Sequence, residues 1–203
     1  MKRLAVLFLI LMGSVCYAST VDYTGIYDSY NLEAQKKYGD AIAKMTEIYS
    51  KNSDDYFVNY RLGWLFSLDQ KYKNSVDHYK RAAINNPTSV EPWLALSSLM
   101  VNLADWKSAL GYSEELIKRD SKSYYGHLRF ILSNIRLKSY DAALEKVEAA
   151  LKLYPTDPVF LEQKAFALAE SGKVELARKV VSELIIISPS NVYAKTFLSA
   201  HKE

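Results

Sequence analysis

Apolar and polar positions alternate along the chain with the three- and four-residue spacing of amphipathic helices. The stretches "WLALSSLM" (93–100) and "ALEKVEAAL" (143–151) show this spacing, which places their apolar side chains on one face of a helix. Pro155 follows the second stretch, lacks a backbone donor and disfavours helical geometry in the residue before it. Asp157 then suits the capping position of another helix. The pattern therefore predicts an all-α chain of short helices.

The helical pattern recurs with a period of about 34 residues between Asp22 and Asn191. One column of the repeat is small, and its members are Ala41, Ser75, Ala109, Ala143 and Ala177. The column three residues earlier is aromatic or apolar, with Tyr38, Tyr72, Trp106, Tyr140 and Val174. Small side chains let paired helices approach closely, because a larger side chain there would overpack the contact by about 1–3 kcal/mol. Such helix pairs bury their apolar faces by stacking on each other.

The repeat carries the residues of a known family. The stretch 56–87, "YFVNYRLGWLFSLDQKYKNSVDHYKRAAINNP", matches that family's places at Leu62, Gly63, Phe66, Tyr72, Tyr79, Ala82 and Pro87. These residues make the chain resemble the tetratricopeptide repeat family over nearly its whole length after residue 18. The resemblance implies an all-α solenoid of about five stacked helix-turn-helix hairpins, followed by a C-terminal capping helix. The first copy departs from the pattern, with Gly25 and Asp28 where bulky residues are expected.

This register divides the chain into predicted segments. Residues 1–18 are predicted as a signal peptide, 19–53 as an N-terminal arm with a degenerate first repeat, and 192–203 as the capping helix. The four full repeats are predicted at 54–89, 90–123, 124–157 and 158–191. For residues 19–30, a poor helix and a partly ordered arm both remain open.

The N-terminus has the composition of an export signal. Lys2 and Arg3 precede an apolar run at 4–15 that is too short to cross a bilayer as a helix. Cys16 and Ala18 then give the small-x-small spacing that a signal peptidase recognises. We expect cleavage after about Ala18 and a periplasmic or secreted protein with no transmembrane segment after cleavage.

Two alternatives to cleavage after Ala18 remain open. The apolar run could stay as an uncleaved N-terminal anchor, or Cys16 could carry a lipid. Gly13 and Val15 argue against the lipoprotein, because they stand where a lipobox has leucine and a small residue.

Charge and cysteine content narrow the classes of partner. Residues 1–18 contain two cations and no acid, so the remaining chain carries 24 basic and 23 acidic residues. A nearly neutral chain lacks the counterion-release force that nucleic acid binding requires, and we expect no nucleic acid partner. The only cysteine is Cys16, so cleavage would also remove any possibility of a disulfide.

Each first helix of a hairpin carries a second stripe, separate from the one that packs inside the hairpin. The resemblance implies that this stripe lines the concave groove of the stack, where partners of tetratricopeptide arrays usually bind. The stripe is rich in aromatic residues and arginine, which are common interface anchors. The candidate partner-binding residues are Tyr27, Tyr30, Tyr60, Arg61, Trp64, Leu94, Leu128, Arg129, Leu132, Arg136 and Phe166.

The sequence contains no recognisable catalytic, metal-binding or phosphate-binding motif. His78, His127 and His201 are far apart, and no metal-ligand spacing, nucleophile motif or phosphate loop occurs. We therefore expect no enzyme, no cofactor and no metal. The carboxylate clamp of chaperone-tail-binding tetratricopeptide domains is also missing, since its first lysine and asparagine places hold Ile26 and Tyr30, or Tyr60 and Trp64. Arg61 and Arg129 resemble only the arginine of that set.

The sequence thus predicts a non-enzymatic protein-interaction scaffold of the bacterial cell envelope. It would bind a peptide or helix in the concave groove, and envelope, pilus and secretion-system assembly are the candidate processes. The alternative is a carbohydrate-binding module of a polysaccharide export system, because tyrosine and tryptophan can stack on sugar rings. The partner's identity and the oligomeric state stay open.

Overall fold

A computed structural model describes residues 23–201, and within this range the chain forms eleven α-helices and no strand. The helices are α1 (Tyr23–Ala34), α2 (Tyr38–Tyr49), α3 (Tyr56–Leu68), α4 (Tyr72–Asn85), α5 (Glu91–Asn102), α6 (Trp106–Arg119), α7 (Tyr124–Arg136), α8 (Tyr140–Leu153), α9 (Pro158–Glu170), α10 (Val174–Ile187) and α11 (Val192–Ala200). The predicted all-α solenoid of five hairpins and a capping helix is confirmed.

The helices stack in chain order. Each helix contacts the next one along the chain, and α7 also contacts α5 and α9. In this part of the stack, the odd-numbered helices therefore lie closer to one another than the even-numbered helices do, as expected for a stack that curves around them. The surface of the odd-numbered helices that faces away from the even-numbered ones is called the inner face below.

Small residues make the close helix contacts, as the repeat predicts. The column of Ala41, Ser75, Ala109, Ala143 and Ala177 is fully buried in every hairpin. The buried Ser75 also forms a hydrogen bond between the two helices of its hairpin, because its hydroxyl donates to the Gly63 carbonyl oxygen at 2.7 Å. Gly63 is packed so closely that an added Cβ would lie 2.7 Å from the Tyr79 ring. These contacts fix the distance between the two helices of a hairpin.

A left-handed residue joins the two helices of every hairpin. Lys36, Gln70, Ala104, Lys138 and Gly172 have φ values between 55° and 80°. In each turn, the following residue's N–H donates to the carbonyl oxygen five residues earlier, as when Lys71 N donates to Phe66 O at 2.9 Å. This is the Schellman arrangement, which satisfies carbonyl groups at a helix end. Only one of the five positions is glycine, so residue identity gave little indication of the turn.

Side-chain caps begin several of the odd-numbered helices. Asp157 accepts hydrogen bonds from the N–H groups of Val159 and Phe160, and Asp55 accepts one from Val58. These bonds satisfy donors that the first helical turn leaves unpaired. The predicted capping role of Asp157 is therefore observed, and α8 ends at Leu153 just before Pro155.

The N-terminal end of the described range is helical. Residues 23–34 form α1, in which Ile26 is buried against α2 and α3. Residues 19–22 and the predicted signal peptide, including Cys16, lie outside the described residues. Within residues 23–201, none of the helices is both long and apolar enough to cross a membrane.

Candidate partner-binding surface

The inner face carries a cleft near each end of the stack. The N-terminal cleft has a volume of about 240 Å³ and is lined by Tyr30, Glu33, Phe57, Tyr60, Arg61 and Trp64. The C-terminal cleft has a volume of about 220 Å³ and is lined mainly by Leu132, Ile135, Arg136, Glu162, Phe166 and Tyr193. Helices α1 and α3 supply the first, and α7, α9 and α11 supply the second.

A buried guanidinium forms the floor of the N-terminal cleft. Arg61 is only 3% exposed, and its Nη1 pairs with the Glu33 carboxylate of the neighbouring hairpin. Its Nε donates to the Ser29 hydroxyl at 3.2 Å, and its Cζ lies 3.7 Å from the centre of the Tyr30 ring. Arg61 therefore differs from the expected exposed guanidinium, because it joins α1 to α3 beneath the surface.

Trp64 is the exposed anchor of the N-terminal cleft. Its Nε1 donates to the second Glu33 oxygen at 2.7 Å, while 43% of the residue stays accessible. Glu33 thus fixes the orientation of the indole as well as the guanidinium of Arg61. Tyr27 and Tyr30 are 68% and 46% exposed on the adjoining helix. The cleft consequently presents aromatic surface whose orientation is set before any partner binds.

Tyr60 forms the half-buried wall of the N-terminal cleft. Its ring stacks on Tyr56, with ring centres 6.1 Å apart, and lies 5.4 Å from Tyr79. Burial raises the pKa of the Tyr60 hydroxyl, and the nearby Tyr56 and Glu91 act in the same direction. Tyr60 is therefore neutral at ordinary pH and offers a ring face and a hydroxyl.

The middle of the inner face is tied together by Arg129. Its Nη1 donates to the Leu94 carbonyl oxygen at 2.8 Å and to the Ser97 hydroxyl at 2.9 Å. Its Cζ lies 5.2 Å from the centre of the exposed Tyr125 ring. Arg129 therefore joins α5 to α7 in the way that Arg61 joins α1 to α3. Leu94 and Leu128 are half-buried between these helices.

The C-terminal cleft is more polar at its edge. Arg136 is exposed, and its Cζ lies 5.6 Å from the centre of the Trp106 ring. Leu132 and Phe166 are half-buried, and Phe166 packs against Tyr193 with ring centres 5.9 Å apart. Burial, with the nearby Glu170 and Glu162, raises the pKa of Tyr193 to about 12.

Two aromatic residues that line the clefts are not among the predicted partner-binding residues. Phe57 and Tyr193 belong to the same repeat column as Tyr125 and lie on the same stripe as the predicted residues. That column lies at the start of each odd-numbered helix, whereas most of the predicted partner-binding residues lie further along these helices. Following this column from one repeat to the next would have found both.

The three histidines lie in different parts of the stack and have different neighbours. His127 is 4% exposed, and its Nε2 donates to the Ser121 carbonyl oxygen at 2.9 Å, which gives it a structural role in the loop before α7. His78 packs between Tyr49 and Phe66, and its Nδ1 lies 3.1 Å from the Asn59 Oδ1. His201 stacks on Phe197 at the other end of the stack.

Comparisons with solved structures find the same architecture. The chain is similar to YrrB, a TPR protein with an unusual peptide-binding site, with a TM-score of 0.73 and 19% identity over 89% of this chain and 92% of that one. It is also similar to MamA, with a TM-score of 0.72 and 12% identity over 89% of this chain and 94% of that one. Likeness at this level of identity concerns the fold.

Comparisons with curated proteins find partial matches. The chain is 28% identical over 159 residues to serine/threonine-protein phosphatase 5 of Homo sapiens, covering 73% of this chain and 30% of that protein. It is 29% identical over 97 residues to Hsp70-Hsp90 organizing protein 3 of Arabidopsis thaliana, covering 48% of this chain and 17% of that protein. The chain thus spans less than a third of the length of these relatives. No protein-family model matches it.

These similarities and the helix order define a helical-repeat protein whose curved stack presents an extended inner surface. The chain therefore has the fold of tetratricopeptide repeat proteins, and the resemblance predicted from its sequence is confirmed at the level of the fold.

Proposed function

We propose that this chain is a non-enzymatic interaction scaffold of the bacterial cell envelope, which binds a peptide or helix of a protein partner along its inner face. The observation that carries the proposal is the pre-oriented aromatic surface of the N-terminal cleft. Trp64 is 43% exposed, yet its indole is held by a 2.7 Å hydrogen bond to Glu33. Side chains that are already ordered lose less entropy when a partner binds.

The distribution of apolar surface supports an elongated partner. The two clefts lie at opposite ends of the inner face, with the half-buried Leu94 and Leu128 between them. An amphipathic helix or extended peptide binds such a groove through regularly spaced anchors. Solenoid stacks also bind their partners on extended concave surfaces. A partner that reaches both clefts would place an apolar anchor in each.

The envelope part of the proposal rests on the N-terminal sequence. The basic start, the apolar run at 4–15 and the spacing of Cys16 and Ala18 favour export. Assembly of the envelope, of pili or of a secretion system is the process we propose, because a scaffold without chemistry of its own acts by holding other proteins together.

Polar groups in the N-terminal cleft favour a peptide over a sugar. The Glu33 carboxylate accepts hydrogen bonds from both Arg61 and Trp64, so its oxygens are less available to the hydroxyls of a sugar. A sugar needs polar groups that can bond its hydroxyls, whereas apolar peptide side chains need ring faces. The carbohydrate-binding alternative therefore becomes an outcome of the test, measured by quenching of tryptophan fluorescence with oligosaccharides.

The direct test compares partner recovery from envelope extracts, using crosslinking and mass spectrometry, for the unmodified chain and Trp64→Ala. We expect recovery to fall by about tenfold or more, as for a central aromatic anchor. Trp64→Phe separates the roles of the ring and of its N–H group, since it keeps an aromatic ring but loses the bond to Glu33.

Ile186→Ala is the matched control, because Ile186 is 78% exposed on α10 and lies outside both clefts. It should leave recovery unchanged. Equal recovery with Trp64→Ala and with the unmodified chain, at an unchanged helical circular dichroism spectrum, would contradict binding on the inner face. Arg136→Ala tests the C-terminal cleft in the same way.

A further inference from the structure

A third cleft lies away from the inner face, between the even-numbered helices α4 and α6. This outer cleft has a volume of about 540 Å³, larger than either inner cleft, and is lined mainly by Lys80, Ile84, Pro87, Trp93, Tyr112 and Arg119. Ile84 is 73% exposed at its edge. The outer cleft therefore offers apolar surface that the packing of the stack does not use.

Trp93 in the outer cleft lacks a hydrogen bond that the equivalent residues of two other repeats make. It holds the same place in its repeat as Asn59 holds in the repeat before and His127 in the repeat after. Asn59 Nδ2 donates to the carbonyl oxygen of Ser53 at 2.7 Å, and His127 Nε2 donates to that of Ser121 at 2.9 Å. In both cases the acceptor is six residues earlier, in the loop before the helix.

The corresponding acceptor does not bond Trp93 and accepts a hydrogen bond from another residue instead. The carbonyl oxygen six residues before it belongs to Pro87, and it accepts a hydrogen bond from Arg119 Nε at 3.1 Å. Trp93 Nε1 is buried and has no acceptor among residues 23–201. An unsatisfied buried donor is unfavourable and uncommon. A bound molecule that brings an acceptor would supply the missing bond.

Charge in the outer cleft favours an anionic occupant. Arg119 covers the Trp93 ring at 4.3 Å, but its charge is balanced by Glu115, whose carboxylate lies 2.5 Å from Nη1. Lys80 has no acidic partner within residues 23–201, and its Nζ lies 6.0 Å from the centre of the Tyr112 ring. No acidic residue lines the cleft. The unbalanced charge is therefore the positive charge of Lys80.

We propose that the outer cleft is a second binding site, which takes a segment of a partner protein carrying a large apolar side chain next to an acidic one. The apolar side chain would pack against Ile84, Trp93 and Tyr112. The carboxylate would bind Lys80 and provide acceptor oxygens near the Trp93 indole. This site is separate from the inner face, so its test does not depend on the proposed groove function.

The test uses the indole N–H signals of the ¹⁵N-labelled protein, which number three because the chain has three tryptophans. Trp93→Phe assigns the Trp93 signal. The probes are the dipeptides acetyl-Phe-Glu-amide and acetyl-Phe-Gln-amide, which differ only in charge, and acetyl-Ser-Glu-amide, which lacks the ring. We expect the first probe to shift the Trp93 signal, the second to bind about threefold more weakly, and the third about tenfold more weakly.

Lys80→Gln should make the Glu and Gln probes bind equally, while Lys73→Gln, at an exposed lysine of α4 outside the cleft, should preserve their difference. Ile84→Ser should weaken both probes, and Ile186→Ser, at an equally exposed isoleucine three repeats later, should not. The proposal is overturned if no probe shifts the Trp93 signal, if only the Trp64 signal shifts, or if Glu and Gln probes bind the unmodified protein equally.

Discussion

Arg61 and Arg129 occupy the same repeat column, two repeats apart, and each joins its helix to the preceding odd-numbered helix. Each also bonds the hydroxyl of a fully buried serine, Ser29 for the first and Ser97 for the second. Their remaining partners differ. Arg61 pairs with the Glu33 carboxylate, whereas the partners of Arg129 in the described part of the chain are neutral oxygens.

The difference shows how one column can serve two energetic roles. An ion pair below the surface holds strongly only while both partners are present, because the remaining charge would be left buried without compensation. Arg129 is half-buried and has no acidic partner within residues 23–201, and burial lowers the pKa of its guanidinium. The contact between α1 and α3 is therefore charged, and the contact between α5 and α7 is dipolar.

The largest expected effect is the loss of stability in Arg61→Ala. We expect the unfolding free energy to fall by about 3 kcal/mol, because the partly buried Glu33 carboxylate loses its counter-ion and keeps only the hydrogen bond from Trp64. Arg129→Ala should cost about 1 kcal/mol, since the lost hydrogen bonds are offset by relief of desolvation. Urea denaturation followed by circular dichroism measures both. Equal losses would show that Glu33 adds nothing to the contact between α1 and α3.

The sequence predicted the stack itself but not these arginine contacts. The small column at Ala143 recurs once in every repeat, and such a strict period follows from the close packing of paired helices. The burial of Arg61 depends instead on Glu33 and Ser29 in the previous hairpin, which vary from repeat to repeat. A stripe on one helix places a side chain on the inner face without showing which neighbour covers it.

The N-terminal cleft was predictable in part for the same reason. Tyr30, Tyr60 and Trp64 lie together as the stripe predicted, because helical geometry alone brings them to one face. The outer cleft was not foreseen, since Trp93 stands at a place that packs inside the hairpin in the family pattern. One wall of this cleft depends on the Arg119 bond to the Pro87 carbonyl oxygen, a contact between residues 32 apart that a helical stripe does not indicate.

The second prediction concerns Gly63, whose repeat position lies between those of Ser29 and Ser97. Gly63 holds the place that Ser29 and Ser97 hold in the neighbouring repeats. Gly63→Ala should cost about 1–3 kcal/mol, because the added Cβ would lie 2.7 Å from the Tyr79 ring. Gly111→Ala, on an open surface of α6, should stabilise by about 0.5–1 kcal/mol. Thermal unfolding midpoints moving in the same direction for both variants would rule out crowding at Gly63.

The third prediction concerns the pH dependence of stability, which we expect to arise from His78 in the N-terminal half of the chain. Burial lowers the pKa of His78, with nearby Arg81 acting in the same direction. The folded state therefore prefers the neutral imidazole, and stability that is full above about pH 6.5 is lost as the pH falls toward the folded pKa. The loss is at most about 1.4 kcal/mol per pH unit. Urea midpoints at several pH values measure it, and His78→Gln should flatten the profile; an unchanged profile would contradict the role of His78.

The smallest expected effect tests whether Ser97 and Arg129 act as a unit. Ser97→Ala removes a hydroxyl that accepts from Arg129 at 2.9 Å and donates to the Leu94 carbonyl oxygen at 3.1 Å. We expect a double-mutant cycle with Arg129→Ala to give a coupling of about 0.5–1 kcal/mol. The matching cycle of Ser29→Ala with Arg61→Ala should give a smaller coupling, because the Glu33 carboxylate dominates there and the serine bond is longer, at 3.2 Å. A larger coupling at Ser29 would mean that the serine, rather than the carboxylate, sets the strength of both contacts.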